Sequence, residues 1–209
     1  MRQGRLFVFS GPSGVGKGTI CKELVKDPSL KLSVSMTTRS PREGEKEGIS
    51  YFFVSREQFD RTVEENGLLE HAEIYGNCYG TPRKAVMHNL QAGFDVILEI
   101  EMQGAMQVKR SFPEAILVFV LPPSLEVLRQ RLSGRGTETE EQMQRRLQSS
   151  LEEIRLLKDY EYFVINDDLT AAVNDAMSII KAERLKAEDS CEELISKYEE
   201  ENKCFFTHQ

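Results

Sequence analysis

The sequence predicts an α/β protein whose core is a parallel β-sheet flanked by helices. Three observations support this class. Apolar runs of strand length alternate with helical stretches along most of the chain, and the first run ends at a glycine-rich loop. A polar, turn-rich stretch over 34–81 interrupts the alternation and predicts an inserted lobe. The 209 residues suit one compact domain with small insertions.

Four continuous apolar runs predict the strands of the core sheet. Strands that are buried on both faces read as unbroken apolar runs, as parallel sheets require. The runs are 6–9, 95–100, 115–121 and 162–165. The helical stretches between them are 17–27, 82–92, 103–111, 124–133 and 139–158. This alternation predicts right-handed βαβ units with helices on both faces of the sheet.

Several helix boundaries are marked by capping residues. Ser55 and Gln58 form a capping-box pattern that predicts a helix near 56–66. Thr81 is predicted as the N-cap of the next helix, with Pro82 at its first helical position and Gly93 just past its end. A polar helix is expected over 183–203.

These boundaries divide the single predicted domain into a core, two mobile parts and a tail. The core takes 1–33, 82–130 and 151–185. The inserted lobe covers 34–81, a small helical lid covers 131–150, and an acidic C-terminal arm covers 186–209.

Composition and charge exclude several classes of protein. Asp and Glu number 34 against 27 Lys and Arg, a net charge of −7, which argues against general nucleic-acid binding. No apolar stretch is long enough to cross a membrane. The four cysteines form no CxxC pair and predict free thiols in a reducing cytoplasm; they are Cys21, Cys78, Cys191 and Cys204.

The glycine-rich loop after the first strand predicts a phosphate-binding loop. Its residues are Gly11, Pro12, Ser13, Gly14, Val15, Gly16, Lys17, Gly18 and Thr19. The glycines let backbone N–H groups point at phosphate oxygens, and Lys17 reaches the β- and γ-phosphates of a nucleotide. Gly18 stands where the usual motif has a hydroxyl that ligates Mg²⁺, and Thr19 comes one place later. Water and phosphate oxygens would then supply more of the Mg²⁺ shell.

A second candidate phosphate site lies in the inserted lobe. Arg39 and Arg42 are three residues apart on a proline-stiffened segment and can clamp one phosphate through bidentate bonds. Tyr51 can add a phenolic donor. The same charged loop can instead simply face water, and the residues alone leave both readings open.

The stretch Thr37–Val54 resembles the signature of guanylate kinases, and with the other motifs the resemblance covers about residues 5–185. It implies a P-loop α/β core with a nucleoside-monophosphate lobe and a lid. The implied reaction is the reversible, Mg²⁺-dependent conversion of ATP and GMP to ADP and GDP in purine nucleotide metabolism. ATP and GMP are thus the expected partners, in the cytoplasm, with neither nucleic acid nor membrane.

The resemblance also implies roles for individual residues. The GMP-binding set is Ser35, Arg39, Arg42, Tyr51, Glu70, Tyr79, Thr81 and Glu101. In it, Glu70 accepts hydrogen bonds from the two adjacent donors of guanine. Glu99, at the end of an apolar strand, acts on Mg²⁺ through water, and its strand is expected to carry Glu101 on the same side. Arg131 binds ATP, and the catalytic set is Lys17, Arg39, Arg135 and Arg146.

Two rival functions remain beside this one. The first is a non-catalytic guanylate-kinase-like module that binds other proteins; the intact Lys17, Arg39 and Arg135 argue against it. The second is a kinase for another nucleotide or a phosphorylated sugar; Ser35 and Glu70, which match guanine-reading positions, argue against that one.

Overall fold

A computed structural model describes residues 3–74, 76–133, 140–187 and 191–206 of the chain. Its strands are β1 (Leu6–Ser10), β2 (Leu30–Leu32), β3 (Met36–Thr37), β4 (Phe52–Phe53), β5 (Leu68–Ile74), β6 (Asn77–Pro82), β7 (Asp95–Glu99), β8 (Ile116–Leu121) and β9 (Tyr162–Ile165). Its α-helices are α1 (Lys17–Leu24), α2 (Arg56–Glu64), α3 (Arg83–Gln91), α4 (Met102–Ser111), α5 (Leu125–Ser133), α6 (Glu140–Ile154), α7 (Leu169–Arg184) and α8 (Cys191–Phe206). A 3₁₀ helix, Arg155–Asp159, follows α6. In this part of the chain no helix is long and apolar enough to cross a membrane.

Within the described residues, the core is a five-stranded parallel sheet in the order β2-β7-β1-β8-β9. Its four longer strands lie where the apolar runs predict them. The edge strand β2 was not predicted, because Leu30–Leu32 is short and carries a lysine in its middle. The α/β class with a parallel core sheet is confirmed.

The core sheet is covered on both faces. One face packs Phe7, Phe9 and Val118 against apolar residues of α1 and α7, such as Ile20 and Ile180. The other face packs strand residues that include Val8 and Leu98 against α3 and α4. The alternating side chains of β1 thus bury into two cores, which is why its sequence is apolar throughout.

A second sheet, of four strands in the order β4-β3-β6-β5, lies in the stretch that the sequence sets apart. β6 pairs antiparallel with β3 and β5, whereas β3 and β4 are parallel. The first turn of α2 carries the predicted capping box: Ser55 Oγ accepts from the Gln58 N–H, and the Gln58 side chain accepts from the Ser55 N–H.

The predicted N-cap at Thr81 is wrong. Thr81 lies inside β6, which continues to Pro82 opposite Leu68, so α3 begins only at Arg83. Pro82 takes the N-cap position, and no side chain caps the helix. The helix end is as predicted, because Gly93 follows it with a φ of 87°. The polar helix expected over 183–203 is α8, whereas residues 183–184 end α7.

Candidate active site

The glycine-rich loop connects β1 to α1 at the carboxyl end of the core sheet. Gly16 is the N-cap of α1 in a left-handed conformation with a φ of 91°. The loop wraps around Lys17, whose Nζ donates to the carbonyl oxygens of Gly11 at 2.6 Å and Pro12 at 3.3 Å. The predicted strand–loop–helix arrangement is therefore present. It places a buried ammonium group beside a helix N-terminus, as anion binding requires.

Asn166, which was not among the predicted site residues, holds this loop in place. It follows β9 and is buried; its Nδ2 donates to the Val15 carbonyl at 2.7 Å. The backbone carbonyl of Asn166 accepts a hydrogen bond from Arg131 Nη2 at 2.9 Å. Asn166 thus joins the loop to α5. The available signal was a polar residue directly after the apolar run of β9, at the end of the strand where ligands bind.

Glu99 ends β7 directly beside the glycine-rich loop, since Phe9 and Glu99 are paired in register. A Cβ on Gly18 would lie 3.0 Å from Glu99 Oε1 and 3.2 Å from Oε2. The carboxylate therefore occupies the space that a side chain at position 18 would need. Loss of water around Glu99 raises the pKa of its carboxyl group, and the nearby charge of Lys17 opposes this rise.

The expectation that Glu99 and Glu101 lie on the same strand face is wrong. β7 ends at Glu99, and Glu101 is the exposed N-cap residue of α4, because the chain turns at Ile100 to enter that helix. A further carboxylate that was not predicted, Glu153 on α6, lies near this site. Burial raises its pKa, the charge of Glu101 adds to the rise, and Lys17 opposes it.

Two arginines of the predicted lid region meet the phosphate-loop side of the site. Arg146 on α6 donates from Nη2 to Ser13 Oγ at 3.2 Å. Arg131 is anchored on Asn166, while its Nη1 is shielded from solvent and has no hydrogen-bond partner among the described residues. Such a nitrogen is suited to a phosphate or a base. Arg135 lies outside the described residues.

Glu70 on β5 forms the centre of the predicted base-reading site. Thr81 Oγ1 donates to Glu70 Oε1 at 2.7 Å, and both side chains are buried, Glu70 with 6% exposure. Burial raises the pKa of Glu70, and the hydrogen bond from Thr81 opposes this rise. Met36 pairs with Gly80, so continuing that register by one residue places half-buried Ser35 opposite Thr81. Three of the four predicted base contacts, Ser35, Thr81 and Glu70, therefore lie in a row across the sheet.

The predicted phosphate ligands of the lobe cluster beside that row. The Arg39 guanidinium lies 5.5 Å from the centre of the Tyr51 ring, and the Tyr51 and Tyr79 rings are 6.0 Å apart. Arg39 Nη2 donates to both carboxylate oxygens of Glu45, at 2.9 and 3.0 Å. This pairing lowers the pKa of Glu45, which also accepts from the backbone N–H of exposed Arg42 at 2.8 Å. The orienting role of Glu45 was not predicted.

The comparisons with known proteins agree with this geometry. The family model described as guanylate kinase matches residues 3–183 of the chain. The chain belongs to the guanylate kinase family. It is 50% identical over 202 residues to the guanylate kinase of Clostridioides difficile strain 630, covering 96% of this chain and 98% of that protein. It is 52% identical over 184 residues to that of Desulfitobacterium hafniense strain Y51, covering 88% and 92%.

A solved structure supports the same assignment. The crystal structure of guanylate kinase from Anaplasma phagocytophilum superposes with a TM-score of 0.76 at 34% identity, covering 93% of this chain and 94% of that chain. The predicted resemblance and fold are therefore confirmed. The prediction of a guanylate kinase, an ATP:GMP phosphotransferase, is confirmed as well.

Proposed function

We propose that ATP and GMP meet between the carboxyl end of the core sheet and the four-stranded sheet, where the γ-phosphoryl group of ATP passes reversibly to GMP. The observation that carries this site assignment is the buried pair of Glu70 and Thr81 beside the cluster of Arg39, Tyr51 and Tyr79. This arrangement places, on one sheet, a carboxylate that can bind a base and a guanidinium group that can bind a phosphate.

On the donor side, the loop over 11–19 and the lid hold ATP. The loop amides and Lys17 bind the β- and γ-phosphates, and Arg131 contacts the nucleotide through its unpaired Nη1. Arg146, already in contact with the loop at Ser13, stabilises the transferring group together with Arg135. Positive charge is needed there because the transition state spreads negative charge over the equatorial oxygens.

On the acceptor side, four residues hold the phosphate of GMP and four read its base. Arg39, Arg42, Tyr51 and Tyr79 fix the phosphate in line with ATP. Glu70 accepts from guanine N1–H and N2–H₂, Ser35 and Thr81 lie near O6, and Glu101 reaches the base from the start of α4. No general base is required, because the attacking oxygen belongs to an ionised phosphate.

Mg²⁺ accompanies ATP in this proposal. Within the described residues no group of three or more His, Cys, Asp or Glu side chains could hold a metal ion. That fits Mg²⁺ in kinases, which takes one or two carboxylates together with phosphate oxygens and waters. Glu99, whose carboxylate fills the space beside Gly18, is the residue that would hold it. Mg²⁺ neutralises charge that develops on the phosphates.

The same proposal assigns the parts of the chain. The stretch 34–81, which contains most of the four-stranded sheet, is the GMP-binding lobe, and 131–150 is the lid. GMP draws the lobe toward the core, and ATP draws the lid. A cytoplasmic location is supported by the free thiols of Cys21, Cys78 and Cys191.

A coupled ADP-release assay with GMP, AMP, CMP and UMP tests the proposal. AMP presents an acceptor at N1, so the buried Glu70 carboxylate would face a lone pair. We expect kcat/KM for GMP to exceed that for AMP by on the order of 10²-fold or more.

The same assay with Glu70→Gln locates the base-reading group. This variant should raise KM for GMP strongly and leave KM for ATP unchanged. Glu73→Gln, an exposed acid on the same strand, is the matched control and should behave as the parent. Unchanged GMP use in Glu70→Gln, or an equal loss of ATP affinity, would show that Glu70 does not read the base.

A further inference from the structure

We propose that Gln107 is a positioning residue that fixes the base-reading carboxylate of Glu70 to a helix of the core. The inference rests on the proposed role of Glu70 and goes beyond it. It assigns part of the base selectivity to a side chain on α4, outside the lobe that carries the other GMP contacts.

The side-chain amide of Gln107 forms two hydrogen bonds with the backbone of one residue of β5. The His71 N–H donates to Gln107 Oε1 at 3.1 Å, and Gln107 Nε2 donates to the His71 carbonyl at 2.9 Å. β5 is the outer strand of the four-stranded sheet, so the amide satisfies backbone groups that point away from β6. His71 directly follows Glu70, and fixing its backbone fixes the origin of the Glu70 side chain.

Two further contacts join the same piece of β5 to α4. A Cβ on Gly104 would lie 2.6 Å from Glu70 Oε2, so a larger residue there would have to displace the Glu70 side chain. Ser111 Oγ donates to the Leu69 carbonyl at 3.3 Å. Three consecutive residues of β5, 69–71, are therefore each in contact with α4.

Helix α4 itself belongs to the core. Its residues Ala105 and Val108 are fully buried against the five-stranded sheet. Glu70 is thus held by Thr81 from within its own sheet and by α4 from the core. A cavity of about 400 Å³ lies between β5 and α4, with Val63 and Arg110 in its lining. Apolar packing therefore does not fill the space beside Gln107.

These contacts tie the strand that carries the guanine-reading group to the core, whereas Arg39 and Tyr51 lie toward β3 and β4, on the side of the sheet order away from β5. Base selectivity then depends on the two hydrogen bonds of Gln107.

The test compares GMP with IMP, which keeps the N1–H donor of guanine but lacks the 2-amino group. In Gln107→Ala we expect the kcat/KM ratio of GMP to IMP to fall by about tenfold, the loss that two hydrogen bonds of about 0.7 kcal/mol each produce. KM for ATP should stay unchanged, and the melting temperature should fall by only a few degrees, as the loss of the same two hydrogen bonds implies. Gln107→Glu keeps the acceptor for the His71 N–H and should give an intermediate ratio. Gln91→Ala, an exposed amide on α3, is the control.

Amide hydrogen exchange supplies a readout that does not depend on turnover. The His71 amide should exchange faster in Gln107→Ala and near the parent rate in Gln107→Glu. An unchanged GMP:IMP ratio, or a lower melting temperature with that ratio intact, overturns the inference. Glu70→Gln is measured in parallel: if it leaves GMP use unchanged, the proposed function fails, and if it impairs GMP use while Gln107→Ala does not change the ratio, only this inference fails.

Discussion

The two ends of the five-stranded sheet treat charge in opposite ways. At the amino-terminal end of the strands, charged side chains find partners within the chain. Arg184 Nε donates to Asp95 at 2.6 Å and its Nη2 donates to Ser29 at 2.8 Å. Glu183 accepts from the Tyr162 hydroxyl at 2.6 Å. The side chains of Asp95 and Glu183 are each 1% exposed, yet both are paired.

At the carboxyl end, Lys17, Glu99 and Arg131 form no salt bridge with any other described residue. Lys17 donates to neutral carbonyl oxygens, and Arg131 keeps one terminal nitrogen without a hydrogen-bond partner among the described residues. Burial raises the pKa of Glu99 and of the nearby Glu70. We infer that the paired end serves the fold, because removing one partner of a buried pair is costly, whereas under the proposed function the other end holds its charges for a bound nucleotide and phosphate.

The largest effect is expected from Lys17→Ala. Removing the ammonium should lower kcat by about 10²- to 10³-fold, because one positioned charge on the phosphates is lost in the transition state. The melting temperature should change little, since Lys17 forms no salt bridge within the described residues. Steady-state kinetics and thermal unfolding check this, with exposed Lys84→Ala as the control. Near-normal turnover would contradict the assignment of the loop.

At the amino-terminal end of the core strands, the corresponding variant is Arg184→Ala. It removes the ion pair between Arg184 and the buried Asp95 carboxylate and should lower the free energy of unfolding by about 3 kcal/mol. kcat/KM per folded molecule should stay within about twofold of the parent. Urea denaturation measures the stability. Arg145→Ala, which removes an exposed pair with Glu141, should cost less than about 1 kcal/mol. Lost turnover in folded Arg184→Ala would show that the paired charges at the amino-terminal end of the strands also contribute to catalysis.

A smaller effect is expected at Gly18. In Gly18→Ala the new Cβ would lie 3.0 Å from Glu99 Oε1, so the carboxylate must shift, which should raise the Mg²⁺ concentration needed for tight ATP binding by about tenfold, as a strain near 1.4 kcal/mol implies. Adding Glu99→Asp shortens the carboxylate and should restore part of the loss. Calorimetric titration of ATP at several Mg²⁺ concentrations tests this. If the double variant needs as much Mg²⁺ as the single variant, the side chains at positions 18 and 99 do not compete for the same space.

The smallest effect concerns the stability cost of Glu70. Because burial raises its pKa, the folded state binds the proton more tightly than the unfolded state. The ionised carboxylate therefore lowers stability as pH rises above the ordinary value near 4.5 and through the raised one. Glu70→Gln should be more stable than the parent at pH 7, by about 1 kcal/mol, and the difference should vanish at more acid pH. Urea midpoints that differ by the same amount at every pH would contradict this.

The sequence predicts the parts whose signal is local. β1, the loop and α1 follow from an unbroken apolar run and fixed glycines, and the Ser55 box predicts the start of α2. β3 and β6 escape prediction because they are short or contain Gly80 and Pro82. Their strand character comes from pairing within the second sheet, which the local sequence does not show.

The site residues that were not predicted depend, likewise, on contacts that the local sequence does not show. Asn166 meets Val15 across 151 positions, and Gln107 meets His71 across 36, so neither backbone partner is visible in the sequence. Glu45 is recognisable only once the loop brings it to Arg39. Glu101 was misplaced because an apolar run does not mark the point where a strand gives way to a helix.

In the proposed site, the buried Glu70 carboxylate reads the guanine base in its ionised form. This role is tested by calorimetric GMP binding from pH 5 to pH 8, in the parent protein and in Glu70→Gln. The phosphate of GMP titrates equally in both, so the difference between the two profiles isolates Glu70. We expect the affinity of the parent to weaken further as pH falls through the raised Glu70 pKa, with Glu70→Gln binding weakly and lacking that additional pH dependence. Identical profiles with equal affinities would contradict the claim.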